Sequence, residues 1–279
     1  MPNIVHNDLV HANQLQANLG HEDWAVVDAH FYLPEPERGA AEYIEAHIPG
    51  AVYAHLDRDL SGPPTGTNGR HPMPSVEQMV DRFSKWGIDD DVQVVVYDNA
   101  GAQIASRLWW MLRYLGHDAV AVLDGGLPVF GGELRGGHEE RTPRSFTPRV
   151  QDAMRIDIDA VARHHHDQLL IDARAGERFR GEKETLDPVA GHIPGAKNLP
   201  CASNLNAEGR FVPAEELRVR FDAVVGDRDA TEVVSYCGSG VTACHNLLAM
   251  EVAGIHGARL YPGSWSEWCA DERRPVETG

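Results

Sequence analysis

The run VVSYCGSGVTACHNLLAMEVAG, residues 233–254, decides the fold of this chain. Val233 and Val234 open an apolar, β-branched segment that reads as a buried strand. Val241, Cys244, Leu247, Leu248 and Val252 then recur at helical spacing, and Gly254 closes the pattern. Between strand and helix stands Cys237, followed by Gly238-Ser239-Gly240. Glycine lets the backbone curl, so successive N–H groups can point at one spot above a helix N-terminus. A thiolate held there is stabilised by those donors and by the positive end of the helix. A structural Cys at the end of a core strand is the competing reading, because free Cys is often buried. Two glycines straight after the thiol give a packed core nothing, so the expectation is a nucleophilic sulfur.

The chain has 279 residues, long enough for two ordinary domains. It is 42% hydrophobic and 24% charged, a composition that supports a core. It contains no apolar run of membrane-spanning length. The opening MPNIVHNDLVHANQL lacks the layout of a secretory signal. Four Cys form neither a disulfide framework nor paired CxxC sets, so a reducing, cytoplasmic setting is expected. The net charge of −17 argues against nucleic acid or an anionic membrane as partner. An anionic substrate therefore needs locally placed cations.

The chain repeats itself. AVVDAHFYLPEPERGAAEYIEAHIPGAVY in the first half matches LLIDARAGERFRGEKETLDPVAGHIPGAKNLP in the second. Asp28 precedes His47 by 19 residues, and Asp172 precedes His192 by 20. VVVYDNAGAQIASRLWWMLRYLG then parallels the Cys237 run. Two copies of one α/β unit follow, each a mostly parallel sheet flanked by helices. The expected organisation is a non-catalytic copy at 1–140, a joint at 141–155 around RTPRSFTPRV, and a catalytic copy at 156–279. The first copy has Asp98-Asn99-Ala100-Gly101 in place of the Cys loop, so it cannot perform thiol chemistry.

Tandem Asp…HIPGA…Cys-loop units with a thiol-free first copy resemble the rhodanese superfamily of sulfurtransferases, over essentially the whole chain. The resemblance implies two tandem rhodanese-like domains of α/β class, no cofactor and no metal. The loop Cys237-Gly238-Ser239-Gly240-Val241-Thr242 is similar to that of the family's 3-mercaptopyruvate branch. Thiosulfate-using members typically carry basic residues there, and this loop has none. The resemblance implies sulfur transfer from 3-mercaptopyruvate through a Cys237 persulfide, with loop N–H groups from Gly238, Gly240, Val241 and Thr242 cradling the sulfur. The resemblance further implies a small thiol, a thioredoxin-like protein or cyanide as acceptor, with thiosulfate as the alternative donor. Arg178 falls where the family holds the substrate carboxylate. Where a second arginine is expected, Thr185, Leu186 and Asp187 stand instead, with Lys183 or Arg180 as possible substitutes. Asp57, His71 and Ser239 match the family's proton relay.

Other features read as structural. Cys244 falls on a helix interior. His164-His165-His166 cannot form one coordination shell, because neighbouring helical residues point apart, and reads as a solvated face. Trp109-Trp110 reads as packing. His47 and His192 occur in both copies, including the thiol-free one, which favours a structural role. A phosphatase of the related Cys-x5-Arg type needs Arg six positions after the thiol, where this chain has Ala243. A purely binding module fits the first copy and not the second.

Overall fold

The computed structural model describes residues 5–164 and 168–279. The triple histidine at 164–166 lies outside the described residues, apart from the backbone of His164, which ends a helix.

Two compact units form. The first comprises 1–62, 74–151 and 207–210; the second comprises 63–73, 152–206 and 211–279. The stretch expected as the joint divides between Gln151 and Asp152. Its arginines bond within the first unit: Arg141 Nη1 donates to Trp24 O at 2.9 Å, and Arg149 Nη2 donates to Gly116 O at 2.7 Å. The segment 63–73, expected within the first domain, belongs to the second unit and brings His71 with it.

The first unit carries strands β1 (Leu9–Val10), β2 (Trp24–Asp28), β3 (Ala51–Tyr53), β4 (Gln93–Tyr97) and β5 (Val120–Leu123). All pairings are parallel, in the order β1-β5-β4-β2-β3. The second unit carries β6 (Leu169–Asp172), β7 (Lys197–Asn198), β8 (Val233–Tyr236) and β9 (Arg259–Leu260), again all parallel, in the order β7-β6-β8-β9. The two orders coincide once β1 is set aside. A bridge from Arg155 to Leu260 stands where β1 would pair. β2, β4, β6 and β8 are buried along their whole length, which explains their unbroken apolar runs: helices cover both faces of a parallel sheet.

Register places the chemistry. Asp28 pairs with Tyr97, and Asp172 with Tyr236, at matching ends of the central strands. Asp98 and Cys237 are therefore the first residues beyond the carboxyl ends of their strands, where open parallel sheets present ligand sites. The tyrosines lock the repeat: Ile48 N donates to Tyr97 Oη, and Ile193 N to Tyr236 Oη. His47 stacks on Tyr43 and hydrogen-bonds its carbonyl at 2.7 Å. His192 likewise stacks on Phe179 and bonds its carbonyl at 2.8 Å. Both histidines hold turns in place, in agreement with the structural reading. Trp109 and Trp110 are buried in the helix Ala105–Tyr114, and Trp110 stacks on Tyr114.

Candidate active site

Cys237 follows β8 and precedes the helix Ala243–Val252, the strand–loop–helix context expected from the sequence. Its backbone is pinned on both sides: its N–H donates to Ser264 Oγ at 3.0 Å, and its carbonyl accepts from Trp265 N at 3.0 Å. Gly238 O accepts from Ser266 N at 2.9 Å. Gly240 has φ +77°, and a Cβ there would lie 2.1 Å from Pro262 O. Only glycine allows the loop to turn this close to that chain. Val241 and Thr242 complete the turn into the helix, and Val241 is buried.

The first copy shows what such a loop does with negative charge. Asp98 stands where Cys237 stands in the second. Its Oδ1 accepts from the N–H groups of Ala100 and Ala102, each at 2.9 Å; its Oδ2 accepts from Ile104 at 2.8 Å and Ala105 at 3.0 Å. Four backbone donors converge on one internal carboxylate. The first copy is thus a plugged anion nest.

The other three cysteines are buried, and all four are free. Burial, with the neighbouring Cys237 adding to it, pushes the Cys201 thiol up to about 12. Burial, with Asp187 adding to it, pushes Cys269 up to about 11. Cys244 Sγ donates to Gly240 O at 3.4 Å, inside the helix. None of the three shares the glycine loop.

His71 Nδ1 and Ser239 Oγ are hydrogen-bonded at 2.7 Å, both side chains buried. Asp57 lies in the first unit, exposed, in the short helix Leu56–Asp59. Its N–H donates to the His55 imidazole.

Arg178 sits in the helix Gly176–Phe179. The resemblance assigns it the substrate carboxylate, which a free guanidinium grips through two nitrogens. The geometry differs: Nε and Nη2 are already taken by Glu184, with bonds of 2.9–3.1 Å, and Nη2 also donates to Asp187 Oδ2 at 3.0 Å. Burial opposes charge on Glu184, yet the Leu186 N–H and the Arg178 guanidinium hold its carboxyl below the usual range. The Nη1 side of Arg178 faces the Cys loop, 3.5 Å from where a Cβ on Gly238 would sit. Neither substitute expected for the second arginine is there. Arg180 is paired with Glu182 at 2.7 Å, and Lys183 is exposed.

The sequence reading missed Arg70. It immediately precedes His71, its N–H donates to Ser266 Oγ at 3.0 Å, and its Nη2 is the atom nearest to that Gly238 Cβ position, at 3.1 Å. Gly69, at φ +86°, lets the segment press against Gly263. The signal was a cation beside His71, inside a glycine-rich stretch. Cations therefore flank a loop that itself contains none. Among the described residues, no group of three His, Cys, Asp or Glu is placed to hold a metal ion.

Comparison with known proteins agrees with this architecture. The model of the rhodanese-like domain matches twice, at residues 11–133 and 157–271. A Pseudomonas aeruginosa protein named "Probable 3-mercaptopyruvate sulfurtransferase" is 46% identical over 97% of this chain and 98% of its own length. The Arabidopsis thaliana "Thiosulfate/3-mercaptopyruvate sulfurtransferase 2" is 33% identical over 99% of this chain and 88% of its own. The solved structure of 3-mercaptopyruvate sulfurtransferase from Leishmania major superposes with a TM-score of 0.86 at 29% identity, covering 99% of this chain and 78% of that one. With a helix-flanked parallel sheet in each unit and a family match across both, the chain belongs to the rhodanese-like family and carries two of its domains in tandem.

Proposed function

We propose that the protein is a 3-mercaptopyruvate sulfurtransferase working through a persulfide on Cys237. One observation carries the reading: Cys237 opens a glycine loop at a helix N-terminus, in a unit where Ser239 is bonded to His71 and two guanidinium groups flank Gly238.

The Cys237 thiolate attacks the sulfur of the donor. The carbon–sulfur bond breaks, and its electron pair passes to the leaving enolate of pyruvate. The proton of the donor thiol reaches the enolate carbon, so pyruvate departs and the sulfur stays on Cys237. Ser239 and His71 supply a short path for that proton. The N–H groups of Gly238 through Thr242 steady the persulfide anion, as the first copy's loop steadies Asp98. Arg178 and Arg70 attract the donor carboxylate. A small thiol, a thioredoxin-like protein or cyanide then takes the terminal sulfur and regenerates the thiolate. Asp57 enters this scheme only through the family resemblance. Four free cysteines suit a reducing cytoplasm. No helix among the described residues is long and apolar enough to cross a membrane.

Thiosulfate is the second reading, because Arg70 and Arg178 supply cations that a dianion also uses. Side-by-side turnover decides. We expect kcat/KM for 3-mercaptopyruvate to exceed that for thiosulfate at least about tenfold, or 1.4 kcal/mol of transition-state discrimination. A thiosulfate preference overturns the donor assignment. Donor-treated protein gains one sulfur, about 32 Da, on Cys237, and Cys237→Ser loses both adduct and turnover. An adduct on Cys201, Cys244 or Cys269 instead overturns the mechanism.

A further inference from the structure

We infer that Arg70 is the second carboxylate-binding guanidinium of this site, and that Asp187 is the positioning residue that sets Arg70 and Arg178 apart by the width of a carboxylate. The inference rests on the sulfur-transfer reading and names how its donor is held.

Asp187 occupies the stretch where the family resemblance led us to expect an arginine. Its side chain is 2% exposed and bridges two cations. Oδ1 accepts from Arg70 Nη1 at 2.5 Å, and Oδ2 accepts from Arg178 Nη2 at 3.0 Å. A carboxylate spanning two guanidinium groups fixes both their spacing and their tilt. The nitrogens left over, Arg70 Nη2 and Arg178 Nη1, both approach the missing side chain of Gly238, at 3.1 and 3.5 Å from its Cβ position. Gly238 directly follows Cys237, so the two N–H edges lie against the loop that Cys237 opens.

Gly238 does not have a positive φ, so its backbone is open to any residue. A side chain at 238 would instead meet the ends of the two arginines, so the slot rather than the turn is what it would fill. Gly240 is the contrast, because its turn and its contact with Pro262 both demand glycine.

Charge supports the same picture. Arg70, Arg174 and Arg178 balance Asp172, Glu184 and Asp187, so the linked groups sum to zero. A monoanionic carboxylate adds one negative charge to this neutral set, while thiosulfate adds two. Arg178 cannot give a two-pronged grip through Nε and Nη2, since Glu184 already holds that edge. The donor carboxylate is held instead by one nitrogen from each arginine.

The test measures pyruvate affinity by titration calorimetry and steady-state kinetics with 3-mercaptopyruvate, in the full-length protein. Arg70→Met keeps the aliphatic stem and removes the donors. We expect its pyruvate Kd and its donor KM to rise roughly tenfold or more, with kcat falling less than about threefold. Arg70→Lys restores part of the loss. Gly238→Ala places a methyl in the slot and weakens pyruvate binding without lowering Tm. Asp187→Asn removes one negative charge and frees one guanidinium. It raises the KM for 3-mercaptopyruvate and shifts the kcat/KM ratio at least about threefold towards thiosulfate, a change that mere loss of structure does not produce. Pyruvate binding that Arg70→Met leaves within twofold of wild type overturns the inference. So does an Asp187→Asn protein with an unmoved donor ratio. A wild-type protein that binds pyruvate through Arg70 yet takes no sulfur from 3-mercaptopyruvate leaves the anion site standing and refutes the functional reading alone.

Discussion

His71 Nδ1 lies 2.7 Å from Ser239 Oγ, although 168 residues separate them in the chain. The bond forms because residues 63–73 fold with the second unit rather than with the residues that precede them. It ties a hydroxyl two residues from Cys237 to an imidazole, the pair to which the proposed mechanism gives the proton.

Ser239→Ala cuts that path and leaves the glycines of the loop in place. We expect kcat for 3-mercaptopyruvate to fall about 10- to 100-fold, and thiosulfate turnover to fall much less, since sulfite needs no proton at carbon. The donor gap therefore narrows. Equal losses for both donors, measured side by side, would show that the hydroxyl only shapes the loop.

Asp98 makes four hydrogen bonds to backbone N–H groups and is fully enclosed. Asp98→Ala leaves those donors facing a void, and we expect it to lower the free energy of unfolding by about 2–4 kcal/mol. Asp98→Asn turns an amide NH2 against at least one of them and also destabilises. Urea denaturation of both variants is the check. A loss under about 0.5 kcal/mol would mean that the first loop needs no internal anion.

His30 gives the first unit a pH-dependent stability. Burial works against its charge, but the Asp28 carboxylate, hydrogen-bonded at 2.5 Å, outweighs it, with Asp98 and Glu42 adding attraction. The imidazole consequently titrates above its ordinary 6.5. A raised pKa means that the folded state binds the proton more tightly. The stabilisation is full below about 6.5 and is lost as pH rises through the folded value. His30→Gln should flatten the fall in Tm as the pH rises above the ordinary imidazole value of 6.5. An unchanged slope would rule out His30 as its source.

Gly240 combines φ +77° with a carbonyl 2.1 Å from its Cβ position. Gly240→Ala must therefore move either the loop or Pro262. We expect a stability loss of at least about 1–2 kcal/mol and a fall in kcat with both donors, because the nucleophile shifts with its loop. Wild-type turnover in this variant, by the same assay, would show that the loop tolerates the shift.

Much of this protein was legible in order along the chain. The alternation of apolar runs with helical patterns, repeated from Asp28 to Gly116 and again from Asp172 to Gly254, determined two parallel α/β units and placed Cys237 at the end of a strand. Such signals are local: a strand between covering helices must be apolar throughout, and a tight turn must be glycine. The structural roles of His47 and His192 followed from their recurrence. What the linear order hid was everything that depends on convergence. Arg70 became a candidate for donor binding only when the segment 63–73 set it beside Gly238. Asp187 read as a missing arginine until its two oxygens were found on two guanidinium groups. Nothing in the linear order told that Glu184 fills the Nε–Nη2 edge of Arg178. Periodicity reports which face of an element is buried. Charged side chains, by contrast, choose partners by distance in space, and only the tertiary structure decided which carboxylate met which arginine.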